Sequence, residues 1–464
     1  MNFMPVMLWS DSLVFLLLAV GIVGVWYIRK REHLLLPWRR VAQSSKAMVT
    51  LLVLSLFFIV GLLDTLHYRA ALPEKNAGAT VYAPEVLSVF DKLVTPLRTQ
   101  TEKTYSAPLA ITLYAKESIT DAQGKVLRDY PRLRYGGAHL ADLAQRDADV
   151  LKRALMGAGS GLLAGLLVVG VALRFRARSS ASNPSRDTAP RAFPHTPLIT
   201  ACLIIAALIG MTVNLADTYH VLGTDKVGKD VLYLSLKSIR TGLIIGTVTT
   251  LITLPLALLL GIAAGYLRGW VDDVIQYVYT VLSSIPGVLL IAAAVLMMQV
   301  TIETHPQWFD NSASRADLRL VFLCLILGVT SWTGLCRLLR GETLKLRELE
   351  YIQAAQAFGV PTFRILTRHI VPNLMHLILI ALVMDFSGLV LAEAVLSYVG
   401  VGVDPSMNSF GTMINSARME MGREPMVWWA LAAAFGFMLV LVLAANLFAD
   451  AVRDAFDPRF NRAA

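Results

Sequence analysis

The sequence contains little charge, and this scarcity excludes most classes of soluble protein. Only 16% of its 464 residues are charged, whereas 56% are hydrophobic. A soluble chain has about 25% charged residues, because its surface must be hydrated. The apolar residues are gathered in stretches of about twenty, the length that lets a helix cross a bilayer while satisfying its own backbone hydrogen bonds. These features predict an all-α polytopic membrane protein.

The sequence also lacks the motifs of several catalytic and metal-binding classes. No Gly-x-x-x-x-Gly-Lys-Ser/Thr phosphate loop occurs, and there is no nucleophile–base pair, His-x-x-x-His or Cys-x-x-Cys pattern. The three cysteines are Cys202, Cys324 and Cys336, which lie in or beside apolar stretches and are interpreted as packing residues. We therefore predict that this chain is no enzyme and that it holds no cofactor and no metal.

Nine apolar stretches are long enough to be membrane spans. They are predicted near residues 11–28, 47–66, 156–174, 198–216, 238–266, 275–299, 317–335, 374–396 and 427–448. The first stretch could instead be a signal peptide. No basic region precedes it and no small-residue cleavage site follows it, so it is interpreted as an anchor.

Basic residues predict the orientation of these spans. Clusters of Lys and Arg follow the first, third, seventh and ninth spans, and the positive-inside rule places all four clusters in the cytoplasm. The N-terminus is then outside and the C-terminus is cytoplasmic. The net charge of +9 is explained by this orientation, so no nucleic-acid partner is predicted.

A soluble segment at residues 67–155 separates the second span from the third. Apolar/polar alternation around Ile111–Ala115, a turn at Asp121–Gly124 and a run at Val126–Tyr135 predict a hairpin. Helix-like stretches at 84–97 and 138–155 flank it. The segment is predicted to be a small α+β extracytoplasmic insert.

A second polar segment, residues 175–197, is rich in Ser, Pro and Arg and is predicted to be a cytoplasmic linker. It divides the chain into residues 1–174, a three-span extension that includes the insert, and residues 198–464, a transmembrane domain of six spans.

The longest cytoplasmic loop of the six-span domain has the pattern of two short helices. Glu350–Phe358 is predicted to be helical, Gly359 suits the left-handed residue that ends a helix, and Pro361 suits the start of the next. The second helix is predicted to run to about Ile370, where Pro372 ends it. On shape alone, a plain amphipathic connector explains this elbow equally well.

The elbow resembles the Glu-Ala-Ala loop of the inner-membrane subunits of binding-protein-dependent ABC importers, with Gln353 in place of the usual Glu. The spacing from Gly359 to Arg368-His369 and Pro372 is similar to the dipeptide/oligopeptide/nickel branch. The resemblance implies that this loop is a coupling helix that docks on a separate ATPase. The residues it assigns to that contact are Glu350, Gln353, Ala354, Ala355, Phe358, Gly359, Arg368, His369 and Pro372.

Further matches occur in order along residues 198–462, and they resemble the C-type member of a permease pair. They are Gly223-Thr224-Asp225, Gly228-Lys229-Asp230, Gly269-Trp270-Val271-Asp272, Ser284-Ile285-Pro286, Ala392-Glu393-Ala394, Ser409-Phe410-Gly411 and Asp457-Pro458-Arg459. Residues 1–197 are not covered by the resemblance, and their three spans and insert depart from it.

The resemblance implies a type I permease core of six spans in the bacterial inner membrane. The implied partners are a second permease subunit that forms a heterodimer, two cytoplasmic ATPase subunits that hold ATP and Mg²⁺, a periplasmic solute-binding protein and the lipid bilayer. Dipeptides, oligopeptides, nickel chelates and other peptide-like solutes are the implied cargo.

Two acidic residues fall within the predicted eighth span. Asp385 lies midway along it and Glu393 near its outer end. Ionisable groups in a bilayer are costly and are usually functional. Asp385 is predicted either to face the translocation path or to be protonated and hydrogen-bonded inside the bundle, and Glu393 either to face the path or to brace the outer loop.

Two other functions are compatible with parts of the sequence. A proton-coupled secondary transporter could use Asp385 and Glu393 as a relay, but the long cytoplasmic elbow would then have no role. A membrane sensor or assembly protein could use residues 67–155 as its receiving domain, but the cytoplasmic segments are short. Within an importer, the insert would either dock the binding protein or a further subunit, or act as a spacer.

Overall fold

The computed structural model describes residues 3–72, 82–120, 126–181, 195–309 and 311–456. These residues are mainly helical, and nine of their helices are long and apolar enough to cross a membrane. The candidate spans are Trp9–Arg29, Ser45–Thr65, Leu143–Arg174, Thr196–Ala216, Val231–Leu267, Gly287–Thr304, Ser312–Arg347, Leu377–Val399 and Trp429–Phe456. The predicted polytopic helical class is thereby confirmed.

Sixteen α-helices and five short strands are present among the described residues. The helices are α1 Trp9–Arg29, α2 Glu32–Gln43, α3 Ser45–Thr65, α4 Val89–Leu93, α5 Thr95–Thr99, α6 Arg146–Ala181, α7 His195–Ala216, α8 Val231–Leu267, α9 Trp270–Ser284, α10 Gly287–Thr304, α11 Ser312–Arg347, α12 Glu350–Ala357, α13 Thr362–Ile365, α14 Val371–Val399, α15 Phe410–Glu420 and α16 Trp429–Phe456. The strands are β1 Phe3–Val6, β2 His67–Ala70, β3 Leu87–Ser88, β4 Glu117–Thr120 and β5 Val126–Asp129.

The chain forms two compact units. The first contains the described parts of Met1–Pro5, Arg39–Arg240 and Asn408–Leu441, and the second contains those of Val6–Trp38, Thr241–Met407 and Val442–Ala464. Helices α2, α8 and α16 contribute residues to both units.

In the first unit, the amino-terminal strand joins the insert. Strands β1, β2 and β3 form one sheet in that order, and β2 pairs antiparallel with β3. Since β1 precedes the first span and β2 follows the second, the N-terminus and the insert lie on the same side of the membrane. This arrangement agrees with the prediction that two spans separate the N-terminus from the insert.

The insert contains the expected hairpin, but its first strand was placed too early. Strand β4 pairs antiparallel with β5, with Glu117 opposite Asp129. Ile111 and Leu113, which suggested the first strand, are instead buried in the insert, with one isolated bridge between Thr112 and Arg132. Their alternation therefore reflects burial of every second side chain in a loop. The predicted turn at 121–124 lies outside the described residues.

The predicted helices that flank the hairpin also differ in length. The stretch at 84–97 forms two short helices, α4 and α5, because Pro96 occupies the first turn of the second one. The stretch at 138–155 becomes helical only from Leu143, where a single 3-10 turn leads into α6, which then continues without a break to Ala181. The linker predicted at 175–197 is thus helical at both ends, and its residues 182–194 lie outside the described part of the chain.

Helices α6 and α7 pack through small residues. An added Cβ on Gly161 would lie 2.2 Å from the carbonyl oxygen of Ala206, and one on Gly210 would lie 2.4 Å from that of Gly157. Such close backbone approach is available to glycine and is typical of helix pairs in membranes, where van der Waals packing holds helices together. The third candidate span is therefore packed tightly against the fourth.

The second unit has two apolar cores. One is formed by the second half of α8 with α9, α11 and the elbow, and it includes Trp332 and Leu339. The other lies around Leu320 and Leu327 of α11, and residues of α1 pack against it. The Ser10 amide at the start of α1 donates a 2.9 Å hydrogen bond to buried Asp317 on α11. The first span is thus fixed to this core by both apolar and polar contacts.

One predicted span is wrong in its bounds. The sixth, expected near 275–299, is divided into α9 and α10, and the candidate span is Gly287–Thr304. Pro286 explains the break, because it lacks an amide hydrogen and forces the preceding Ile285 into an extended conformation, with ψ of 132°.

Candidate functional site

The elbow between α11 and α14 is a helix–turn–helix whose turn has a specific backbone geometry. Gly359 has a φ of 73°, the left-handed region expected for it. The amide of Val360 donates to the carbonyl oxygen of Ala355 at 3.0 Å, and that of Gly359 donates to Gln356 at 2.9 Å. These two bonds form the Schellman motif that ends a helix. The predicted end of the first short helix is therefore correct.

The second half of the elbow differs from the prediction at Pro372. After α13 the backbone forms a π-helical turn, Leu366–Ile370, and continues directly into α14. Pro372 lies in the first turn of α14, where a missing amide hydrogen costs little. Proline therefore begins the long helix here, and the wider π turn before it accommodates the change.

One face of the elbow is buried in the second unit. Ile352, Ile365 and Ile370 are each at most 1% exposed and belong to the core formed with α8 and α11. Burial of such side chains stabilises each contact by about 1.5–3 kcal/mol. The elbow is therefore held rigidly against the ends of two membrane helices.

The opposite face is exposed and aromatic. Phe358 and Phe363 are 87% and 78% exposed, and Tyr351 is 47% exposed. Of the other predicted contact residues, Glu350, Gln353, Ala354, Gly359, Arg368 and Pro372 are exposed, whereas Ala355 and His369 are half-buried. Most of the predicted coupling residues are therefore accessible to a partner. The sequence analysis did not name Phe363, although a bulky aromatic residue beside the expected turn could have indicated it.

Polar contacts join the elbow to the end of α8. The Gln356 side-chain amide donates to the Tyr266 hydroxyl at 3.0 Å, and Arg347 donates to the carbonyl oxygen of Tyr266 at 2.6 Å. The Gln353 amide donates to the carbonyl oxygen of Glu348 at 3.2 Å. Glu348 in turn pairs with Arg268. A displacement of α12 would therefore act directly on the end of α8.

The residues near the start of α14 form a smaller contact. The Asn373 amide donates to the Tyr351 hydroxyl at 3.2 Å, and the His369 ring lies 5.9 Å from the Tyr351 ring. His369 thus helps to fix the two halves of the elbow on each other, while Arg368 remains exposed.

An ion pair that the sequence analysis missed connects α9 with α11. Arg340 donates to both carboxylate oxygens of Asp272, at 2.6 and 2.7 Å. The hydrogen bonds from Arg340 outweigh burial and lower the pKa of Asp272 below its usual range. Both residues were visible separately, Asp272 in a matched motif and Arg340 in a basic cluster, but no sequence spacing indicates that they meet.

The two acidic residues of α14 have different surroundings. Asp385 is half-buried, and no hydrogen bond to its carboxylate is found within the described part of the chain. Glu393 is 1% exposed and accepts a hydrogen bond from Ser397 at 2.7 Å. They are eight positions apart, about 12 Å along the helix axis. The structure therefore does not bring them together.

On the side of the insert, the segment before α8 forms a buried ionic cluster. His220 is 2% exposed, and its Nδ1 lies 2.8 Å from Asp230. Its Nε2 lies 3.5 Å from Glu102 of the insert. The same Glu102 carboxylate accepts hydrogen bonds from the backbone amides of residues 134, 135 and 136. The cluster thus fixes the insert to the loop that precedes α8.

Burial disfavours a charged His220, but hydrogen bonds and attraction from Asp230 and Glu102 prevail and raise the pKa of His220 to about 9. Burial likewise opposes the charge on Glu102, but His220 and the backbone amides lower its pKa to about 2. The loop itself is shaped by Gly228, whose φ is 73° and whose Cβ, if present, would lie 1.9 Å from the Glu102 carbonyl oxygen. The matched Gly–Asp motif is therefore a docking surface for the insert.

No group of three or more His, Cys, Asp or Glu residues that could hold a metal ion is found among the described residues.

The carboxy-terminal part of the chain matches a known family. Residues 257–462 match the family described as "Binding-protein-dependent transport system inner membrane component". The chain is 33% identical over 241 residues to the oligopeptide transport system permease protein of Mycobacterium tuberculosis, covering 52% of this chain and 76% of the relative. It is 33% identical over 240 residues to the glutathione transport system permease protein of Pectobacterium atrosepticum, covering 52% and 73%. It is 28% identical over 243 residues to the dipeptide transport system permease protein of Bacillus subtilis, covering 52% and 70%.

Proposed function

Because this chain belongs to the family of inner-membrane components of binding-protein-dependent transport systems, we propose that it is the permease subunit of an ATP-driven importer of peptides or peptide-like solutes. The names of its relatives, which include oligopeptide, dipeptide and glutathione permeases, support this class of solute. Two ATPase subunits hydrolyse ATP, a second permease completes the translocation path, and a periplasmic binding protein delivers the solute.

The observation that supports ATPase docking best is the exposed face of the elbow. Phe358 and Phe363 place two large apolar side chains in solvent on either side of the Gly359 turn. Exposed aromatic residues on a rigid, convex element are typical anchors of protein interfaces. We infer that the two rings enter a groove of the ATPase, with Ala354 allowing close approach at the centre.

The buried face of the elbow supports the transmission of motion. ATP-driven closure of the ATPases would move α12 and, through Gln356 and Tyr266, the end of α8. The membrane helices then change between outward and inward access, a switch driven by contacts that differ between the two states.

The orientation that suits this mechanism has the elbow in the cytoplasm and the insert outside. Arg337, Arg340, Lys345 and Arg347 at the end of α11 support a cytoplasmic elbow through the positive-inside rule. With nine spans the N-terminus is then outside and the C-terminus inside.

Asp385 is proposed to face the translocation path. A half-buried carboxylate without a hydrogen-bond partner in its own described bundle is too costly to lie against lipid. Glu393, which is buried and bonded to Ser397, is proposed to brace the outer end of α14. Unchanged peptide uptake by Asp385→Asn at normal expression would remove Asp385 from the mechanism.

The docking proposal is tested with Phe358→Ala in the assembled transporter. The loss of one anchor is expected to reduce ATPase association by about 2 kcal/mol, roughly thirtyfold in dissociation constant. Association is measured by co-purification, and peptide uptake by proteoliposomes. Trp308→Ala, which removes another aromatic residue that is 58% exposed, is the matched control. If Phe358→Ala retained full ATPase binding and uptake, docking through this face would be wrong.

A further inference from the structure

The first unit contains a cavity of about 410 Å³ at the edge of the insert. Its walls come from five helices: α4 and α5 of the insert, α6, the end of α7 and the start of α8. This volume is within the range of about 300–1,000 Å³ found for small-molecule sites. No residue of the cavity belongs to the elbow or to the acidic residues of α14, so none of the roles proposed above uses it.

The cavity lies at the boundary of the membrane. Val213 and Asn214 are in the last turn of a candidate span, and Leu232 and Leu236 are in the first two turns of the next. Since the apolar stretch of α7 ends at the charged Asp217, the cavity lies at headgroup depth on the side of the insert. Lipid headgroups occupy this depth of a bilayer.

The chemistry of the walls is amphipathic. Leu93, Leu97, Val213 and Leu232 supply an apolar surface. Arg153 and Asp217 supply opposite charges at the same cavity. The cavity therefore offers an apolar surface together with one cation and one anion.

We propose that this cavity binds a phospholipid with a zwitterionic, amine-containing headgroup, of the phosphatidylethanolamine class. Arg153 binds the phosphate through its terminal nitrogens, since its Nε already donates to Asp149 at 2.9 Å. The ammonium donates to Asp217. One acyl chain packs on Val213 of α7 and Leu236 of α8. The lipid thereby joins the insert to the membrane helices.

The test compares lipid retention by the full-length chain and by variants that fill the cavity. Val213→Trp places an indole in the cavity, and Val168→Trp is the matched control, since both valines are exposed on membrane helices, 65% and 63%. Each protein is delipidated in mild detergent, and bound phosphatidylethanolamine is counted by native mass spectrometry. We expect the wild type and Val168→Trp to retain this lipid and Val213→Trp to retain at least about tenfold less, equivalent to about 1.4 kcal/mol.

A second variant protects the test against misfolding. Leu93→Trp fills the cavity from the insert, far in sequence from Val213, and is expected to cause the same loss. Asp217→Asn is expected to remove the preference for phosphatidylethanolamine over phosphatidylglycerol. Equal lipid retention by Val213→Trp, Leu93→Trp and the wild type would overturn the proposal. So would tighter binding of phosphatidylglycerol, or displacement of the lipid by a dipeptide, which shares the charges but has no acyl chain.

Discussion

Replacing His220 by glutamine is the most informative perturbation of the contact between the insert and the loop before α8. The folded protein holds His220 as a cation between Asp230 and Glu102, and its pKa rises from 6.5 to about 9. At about 1.4 kcal/mol for each pKa unit, the charged form contributes about 3 kcal/mol to the free energy of unfolding. Glutamine keeps one hydrogen bond but leaves two buried carboxylates without a cation.

The sign of the pH dependence follows from the raised pKa. This contribution is fully present below pH 6.5, the ordinary value, and it is lost as the pH rises through about 9. Glu102, whose pKa is lowered to about 2, contributes above its ordinary value of 4.5 and loses that contribution as the pH falls through about 2. The wild type should therefore be less stable at about pH 10 than at about pH 6.

The assay is thermal unfolding of the full chain in mild detergent at both pH values. With about 2 °C for each kcal/mol, the wild type is expected to lose roughly 6 °C between them. His220→Gln should unfold earlier at the lower pH and show a flatter pH dependence. His305→Gln, a half-buried histidine of the other unit, is the control. Adding Glu102→Gln to His220→Gln should restore part of the loss, because it removes one unpaired charge. A His220→Gln protein with wild-type stability and pH dependence would refute the reasoning.

Three further predictions concern the packing of the helices. Gly161→Leu is expected to destabilise the α6–α7 pair by at least about 1–3 kcal/mol in thermal unfolding, whereas Gly159→Leu, whose Cβ would meet nothing within 4 Å, should not. Lys237→Met should cost about 3–5 kcal/mol, because this lysine pairs with two buried aspartates at 2.6 and 3.1 Å, and adding Asp64→Asn should recover part of it. Arg340→Gln should loosen α9 by about 1.5–3 kcal/mol, measured as faster proteolysis after residue 268. Wild-type behaviour of Gly161→Leu, Lys237→Met or Arg340→Gln would contradict the contact that the variant tests.

The span count and the turn of the elbow were predictable from the sequence because both depend on local chemistry. Twenty apolar residues can satisfy their backbone in lipid only as a helix, and Gly359 adopts a φ of 73° at little cost. The predicted bounds of the sixth span were wrong, and the reason is also local. Apolar residues continue on both sides of Pro286, but the helix does not continue through it. Composition alone therefore predicts one helix where there are two.

The contacts between distant elements could not be predicted. Glu102 and His220 are 118 positions apart, and Asp272 and Arg340 are 68 apart. In the sequence, each of these residues has the features of an ordinary surface charge or of one position in a motif. Pairing over such distances depends on how the helices pack, which the sequence does not show. The Gly223–Asp230 motif shows this most clearly. It could be recognised as a match, but its role as the docking surface of the insert requires the structure.

The substitution of Gln for Glu at position 353 has a physical reason in the elbow. The Gln353 amide donates to the Glu348 carbonyl oxygen at 3.2 Å and lies 3.4 Å from the Glu348 carboxylate. A glutamate at this position could donate neither bond and would place a second negative charge beside the first, which Arg268 already neutralises. In this chain the charge at the base of the elbow thus comes from Glu348, five residues before the usual position. An ATPase that docks here would meet a neutral amide at the centre and aromatic rings around it, so shape and apolar contact rather than a salt bridge would determine its affinity.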